Sequence, residues 1–249
     1  MSDLTTPAAY TLEDFRGSRK RMRVEHLVRA VLFLAALLSI VISVLIVASL
    51  VGEAWTFVSQ VEAASLWSDG WFPRRGIYDI KTLLTGTLIV TVIAMAVAMP
   101  LGLGAAIYLS EYAPAGVRKL LKPVLEILAG IPSVVLGFFA LTFLSPVIVQ
   151  RLSSEATQFN IAAAGIGVGI LTIPLVASIS EDAMRSVPMA LREASYGLGA
   201  RKITTTVRVV IPAAVSGLVA AFIVAVSRAI GETMVVFIAA GATGGSLFS

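Results

Sequence analysis

Positions 30–51 read AVLFLAALLSIVISVLIVASLV, without a single charged residue. About 20 apolar residues in a helix cross the hydrocarbon of a bilayer. Hydrocarbon offers the backbone no partners but its own, so the run is predicted to be a transmembrane helix. It is too long for the core of a signal peptide, and no small-residue cleavage site follows it, so it is read as a retained anchor.

Working outward, residues 1–29 form a basic tail carrying Arg16, Arg19, Lys20, Arg21, Arg23 and Arg29. Residues 52–82 read as a loop on the opposite side, with Trp55, Trp67, Trp71, Phe72 and Tyr78. Such aromatics suit the headgroup layer or contact with an outside partner. Four more apolar stretches follow, at about 83–109, 123–149, 161–179 and 213–240. None alternates with the period of a membrane-spanning strand. The whole chain is 57% hydrophobic and 14% charged, against about 25% charged in an ordinary soluble domain. The expected fold is therefore an all-α polytopic transmembrane bundle with five spans, embedded in a lipid bilayer.

Basic residues sort between the two sides. The tail holds six. The loop after the second span holds Arg118, Lys119 and Lys122, and the loop after the fourth holds Arg185, Arg192, Arg201, Lys202 and Arg208. The other side has only Arg74, Arg75, Lys81 and Arg151. The positive-inside rule then puts the N-terminus and the 181–212 loop in the cytoplasm. The same bias accounts for the net charge of +4. No basic cluster is interleaved with aromatics in the manner of a nucleic-acid surface.

Several chemistries lack their residues. There is no cysteine, and the one histidine, His26, lies in the basic tail without metal-ligand companions. The chain has no phosphate-cradling GxxxxGK[ST], no GxSxG and no HExxH. No catalytic residue, metal site or directly bound cofactor is expected. If transport here uses ATP, the ATP and its magnesium belong on another polypeptide.

The cytoplasmic loop contains Pro188-Met-Ala-Leu-Arg-Glu-Ala-Ser-Tyr-Gly-Leu-Gly-Ala200. Leu191, Ala194, Ser195 and Leu198 share a face at helical spacing, and Gly197 and Gly199 supply a permissive backbone for a turn. A second helix after Arg201-Lys202 is predicted to lead into the fifth span. A short helix with one apolar face, placed outside the membrane, can seat in a partner's groove.

These residues resemble the EAA loop of ATP-binding-cassette importer permeases, whose pattern is Glu-Ala-Ala, three residues, Gly, nine residues, Ile-x-Leu-Pro. Here Glu193-Ala194-Ser195, Gly199 and Val209-x-Ile211-Pro212 keep every spacing, with Ser, Val and Ile as substitutions. The resemblance implies that Leu191, Glu193, Ala194, Ser195, Gly197 and Gly199 form a helix that couples the permease to an ATPase. It also implies the type I importer architecture with a sixth span after Gly241. The chain stops at Ser249, so its C-terminus reads as truncated within a permease domain of 83–249.

A narrower resemblance, to PstC-type phosphate permeases, rests on three runs. They are Pro100 to Ala113 (PLGLGAAIYLSEYA), Glu126 to Val135 (EILAGIPSVV) and Arg228 to Met234 (RAIGETM). It implies inorganic phosphate as substrate in a bacterial inner membrane. The implied partners are a PstA-like second permease subunit, two ATPase subunits and an external phosphate-binding protein.

The last run can also be read from its residues alone. Arg228 and Glu232 stand four apart in an apolar segment and, on one continuous helix, would face the same way. Each such charge costs roughly 2.5–3.5 kcal/mol at mid-membrane, so both should face a cavity or each other. A guanidinium fork suits two phosphate oxygens, and Glu232 can accept a hydrogen bond from the proton that phosphate keeps near neutral pH and sulfate lacks. Arg228, Glu232 and Thr233 are the expected substrate pathway; the alternative is an Arg–Glu pair that only closes the pore. Gly165 and Gly169 are expected at a close helix–helix approach. Two rival functions remain: a same-architecture permease for another small solute, and a membrane scaffold without transport.

Overall fold

The computed structural model describes residues 19–153 and 155–241. The basic tail before Arg19 and positions 242–249, where the truncated C-terminus was expected, lie outside the described residues. The chain divides into two compact units, Met1–Ala63 and Ala64–Ser249.

In the first unit, α1 runs from Arg19 to Gln60. Over residues 30–51 its side chains are apolar all round and exposed, Phe33 at 66% and Leu45 at 62%. That is the signature of a helix solvated by lipid. The helix extends past the expected anchor at both ends, so Gly52–Gln60, read as loop, is helical. No glycine or proline after Gly52 gives the helix a reason to stop sooner.

The second unit opens with strands β1 (Trp67–Phe72) and β2 (Ile77–Asp79), paired antiparallel. This hairpin within the 52–82 loop was not anticipated. Gly76 makes its turn in the left-handed region, at φ +71°. Trp71 and Tyr78 meet edge to face at 5.8 Å. Asp79 is buried and ties the hairpin to the next helix. Its carboxylate accepts from Gly70 N–H at 3.1 Å, Thr82 N–H at 3.2 Å and Thr82 Oγ1 at 2.6 Å. The Thr82 hydroxyl, chiefly, holds this carboxyl below the usual carboxylate range.

The remaining helices are α2 (Ile80–Tyr112), α3 (Ala115–Ala129), α4 (Ser133–Leu152), α5 (Ile161–Arg185), α6 (Met189–Gly197), α7 (Lys202–Ala213), α8 (Val215–Ile230) and α9 (Met234–Ala240). Within this unit α2, α4 and α5 are long and apolar enough to cross a membrane. Helix α5 is the centre, with 61% of its apolar window buried against 33% in α2 and in α4. Asn160 caps its start, accepting from Ala163 N–H at 2.7 Å.

Two expected spans are interrupted. The stretch 123–149 is not one helix: α3 ends at Ala129 and α4 begins at Ser133. Pro132 forces the residue before it out of the helical region, and the chain turns at Gly130. Pro123 to Ala129 thus belong to α3, an amphipathic helix with no buried residue. Pro146, by contrast, is carried inside α4 by a widened, π-helical stretch over Ala140–Val149. The stretch 213–240 is also broken. Helices α7 and α8 meet at 72°, and α8 gives way to α9 across Gly231–Thr233. Alone, the 16 residues of α8 reach about 24 Å, short of the ~30 Å hydrocarbon core; α9 carries the segment on.

Helices α2 and α5 run parallel. A Cβ on Gly165 would lie 2.7 Å from Ile93 Cβ, and one on Gly169 would lie 2.9 Å from Ala94 O. The expected close approach of these glycines is therefore made, and it is made against α2. Helix α4 runs the other way along α5, with Gly167 against Ala140 and Asn160 Nδ2 donating to Ser145 Oγ at 2.8 Å. The α8–α9 pair does the same. Gly217 packs on Ala183, and Asn160 N–H donates to Ala239 O at 3.1 Å. This puts the ends of α2 and α5, the start of α3, and helices α6 and α7 at one end of the unit. The hairpin and the end of α4 lie at the other. Basic residues assigned to one side from the sequence, Arg118, Lys122, Arg185, Arg192 and Lys202, do share an end.

Candidate functional site

The loop predicted to couple is built as a short helix followed by a turn. Pro188 starts α6 and Gly199 ends the motif at φ +79°, a left-handed conformation that suits glycine. Gly197 lies in the last turn of α6, exposed. The four residues expected on one face divide. Leu191 and Leu198 are 45% and 90% exposed and Ala194 is exposed with them. Ser195 turns inward, its hydroxyl 2.8 Å from Thr205 Oγ1 of α7. Glu193 is exposed. Leu191 on α6 and Leu198 just past its end are thus both open to solvent.

Arg192, between those residues, fastens α6 to the bundle. Its Nη1 donates to Val187 O at 2.6 Å, and its Nη2 donates to Met184 O and to Glu111 Oε1, both at 2.9 Å. The two side chains are 10% and 4% exposed. One guanidinium thus satisfies a carbonyl at the end of α5, one in the following turn, and a buried carboxylate at the end of α2. A second node sits beside it. Glu181 is 1% exposed, with Lys122 Nζ at 3.2 Å, Arg185 Nη1 at 3.3 Å and Arg118 Nε at 4.0 Å. Asp182 also pairs with Lys122 at 3.0 Å. This contact first, then Glu181, raises the lysine's pKa. Sequence reading singled out none of Glu111, Glu181 or Asp182. The signal available was an acidic pair closing a span opposite a basic loop.

The expected substrate pathway lies at the break in the fifth span. Helix α8 ends at Ile230, so Arg228 and Glu232 do not share a continuous helix, and the reading that they face the same way is corrected. Among the described residues no ion pair joins them. Arg228 is exposed, and among the described residues no carboxylate lies within ion-pair distance of it. Glu232 is half-buried and turns toward α9, Oε1 accepting from Val235 N–H at 3.4 Å. Thr233 is exposed, its hydroxyl 3.4 Å from Gly231 O. Ala229 and Val235, which flank this break, and Ile131, in the α3–α4 break, pack in one core cluster with Val168 and Leu171 of α5. Both interruptions therefore fall at one level, partway along the central helix. Irregular backbone at membrane depth is tolerated only when buried in protein or lining a cavity. Among the described residues no group of His, Asp and Glu could hold a metal ion.

Residues 98–249 match the family described as binding-protein-dependent transport system inner membrane component. The chain is 41% identical over 166 residues to the probable ABC transporter permease protein YqgH of Bacillus subtilis, covering 67% of this chain and 53% of that protein. It is 32% identical over 220 residues to the phosphate transport system permease protein PstC of Mesorhizobium japonicum, covering 81% and 67%. It thus spans about half the length of the first relative and about two thirds of the second. The fold is shared with the inward-facing MetNI methionine ABC transporter in its native crystal form. That likeness has a TM-score of 0.52 and 23% identity, over 66% of this chain and 74% of that one. The chain therefore belongs to the binding-protein-dependent transport system inner membrane components, as a multi-pass permease with the type I ABC importer fold.

Proposed function

We propose that the protein is a PstC-type permease subunit that passes inorganic phosphate through a bacterial cytoplasmic membrane. It would work beside a PstA-like second permease subunit, two ATPase subunits that hold ATP and magnesium, and an external phosphate-binding protein. The N-terminus and the end carrying α6 face the cytoplasm, where basic residues accumulate. The chain itself makes and breaks no covalent bond.

The observation that carries the substrate reading is the broken fifth span. It leaves Arg228 exposed and, among the described residues, without a carboxylate partner, in a chain akin to proteins named as phosphate permeases. A discontinuous helix at mid-membrane is where transporters build substrate sites, and an unpaired guanidinium offers its fork to two oxygens. Glu232 supports discrimination, since among the described residues only its Oε1 is engaged. Its other oxygen can accept a hydrogen bond from the P–OH of hydrogen phosphate, a donor that sulfate lacks. For coupling, the exposed Leu191 and Leu198 beside Glu193 supply a face for an ATPase groove. Arg192 gives that face a rigid connection to α2 and α5 along which a push can travel.

The test is labelled phosphate uptake in a host without its own high-affinity system, with the partner subunits co-expressed and sulfate as competitor. ATP-dependent uptake that is indifferent to sulfate and lost in Arg228→Gln is expected. Uptake surviving in Arg228→Gln removes Arg228 from the path. A complex that hydrolyses ATP but moves no phosphate reassigns the substrate to another solute. Failure of any ATPase to co-purify, with Glu193→Arg no different from wild type, returns the scaffold reading.

A further inference from the structure

At the end of the unit where α2, α5, α6 and α7 meet, a cavity of about 390 Å³ opens to solvent. Arg118, Arg185, Arg192 and Lys202 line it, with Tyr196 and a single carboxylate, Glu111. That carboxylate is already engaged, accepting from Arg192 at 2.9 Å and from the Ser110 hydroxyl at 2.9 Å. Glu181, behind the wall, is shared among three cations. Among the described residues the cavity therefore keeps an excess of positive charge in its wall.

The donors in its wall are also incompletely used. Arg118 gives Nε to Leu109 O at 2.8 Å and Nη2 to Ser110 O at 3.2 Å, leaving Nη1. Among the described residues Arg185 uses Nη1 alone, on Glu181. Lys202 has no carboxylate partner among the described residues and rests 5.0 Å over the ring of Tyr112. These three cations come from α3, α5 and α7. The two arginine side chains are anchored by bonds within the protein, so their unused N–H groups are held in place rather than free to sweep through solvent.

We propose that this cavity is a binding site for a phosphate-class oxyanion, either free inorganic phosphate or the phosphodiester of an anionic lipid headgroup. Three cationic groups on separate elements suit a tetrahedral anion with several oxygens better than a two-oxygen carboxylate. The volume leaves room for water around a free ion or for a headgroup at the span ends. An anion held there bridges α3, α5 and α7 around α6 and so stiffens the base of the helix proposed to couple. The site is distinct from the break at Gly231–Thr233 and does not rest on phosphate being the transported solute.

The experiment uses the full chain carrying Arg228→Gln, so that the proposed path contributes no binding, in phosphatidylcholine nanodiscs. Equilibrium dialysis with labelled inorganic phosphate measures the free ion. Native mass spectrometry of discs doped with phosphatidylglycerol counts retained anionic lipid. Binding of one ligand is expected, weakened at least tenfold by Lys202→Glu, kept by Lys202→Arg, and reduced by added salt. Phosphate retained without lipid assigns the site to the free ion; lipid retained without phosphate assigns it to the headgroup. Retention of neither ligand, or binding unchanged by both Lys202→Glu and Arg185→Gln in folded protein, overturns the proposal.

Discussion

Two arginines of this chain stand in opposite circumstances. Arg192 is buried and gives its two terminal nitrogens to three acceptors on two neighbouring segments. Arg228 is exposed at the end of a broken helix and has no ion-pair partner among the described residues. The difference separates an arginine that holds structure from one available to something outside the chain. A guanidinium whose two terminal nitrogens are already committed to the fold cannot turn its fork to a passing anion without unmaking the fold around it. One with its fork open can bind and release at little structural cost. The same residue type thus serves as a strut at the end of the bundle and, as proposed, as a ligand partway along it.

The comparison breaks most readily at Arg192. Truncation to alanine leaves Glu111, 4% exposed, without its counter-charge and frees two carbonyls. Removing one partner of a buried pair costs about 3–5 kcal/mol. Arg192→Ala is expected to lower the unfolding midpoint in nanodiscs further than either Glu181→Gln or Arg228→Gln. Arg192→Lys should recover only part, because an ammonium cannot fork to Glu111 and both carbonyls at once. An Arg192→Ala protein as stable as wild type would show that the strut carries no load.

Glu181→Gln sharpens the same point with a smaller effect. The amide keeps the shape but not the charge, so Lys122, Arg185 and Arg118 lose their common partner. Asp182 still holds Lys122 at 3.0 Å, and Arg185 is 49% exposed, so water replaces part of what is lost. A destabilisation of about 1.5–3 kcal/mol is expected, the range for a hydrogen bond to a charged group, read by the same thermal unfolding. The loss should shrink at high salt, which screens the exposed members.

Most of the spans were legible in the sequence because run length alone reports them, though not the breaks within two of them, and a close approach at α5 was foreshadowed by Gly165 and Gly169 without its partner α2. The hairpin was not: six residues of WSDGWF carry no alternation that separates them from an interfacial loop. Nor was the break after Ile230. It has no proline, and only its chemistry explains it. Glycine weakens a helix by about 1 kcal/mol, and Glu232 takes the Val235 N–H that a continuing helix would need for its own backbone. Reading Arg228 and Glu232 at helical spacing treated Gly231 as neutral. The Arg192–Glu111 pair joins residues 81 apart. A single sequence gives no sign of such a partner, because it exists only once α2 and α5 lie parallel with their ends together.

The smallest expected structural effect is at Arg228, and it tests the comparison from the other side. Arg228→Gln removes a charge with no ion-pair partner among the described residues, at an exposed position of a helix that is already ending. Substitutions away from packed or paired groups stay within about 0.5 kcal/mol, so the unfolding midpoint should hardly move while phosphate uptake disappears. The two readouts must separate for Arg228 to be a ligand. If Arg228→Gln destabilises the protein on the scale of Arg192→Ala, the arginine has a structural partner, such as a facing subunit in the assembled importer, and loss of uptake would say nothing of substrate. Measuring stability on the isolated chain and again on the complex decides between these. An effect confined to the complex locates the partner across the permease interface, whereas none in either leaves the open fork to the anion.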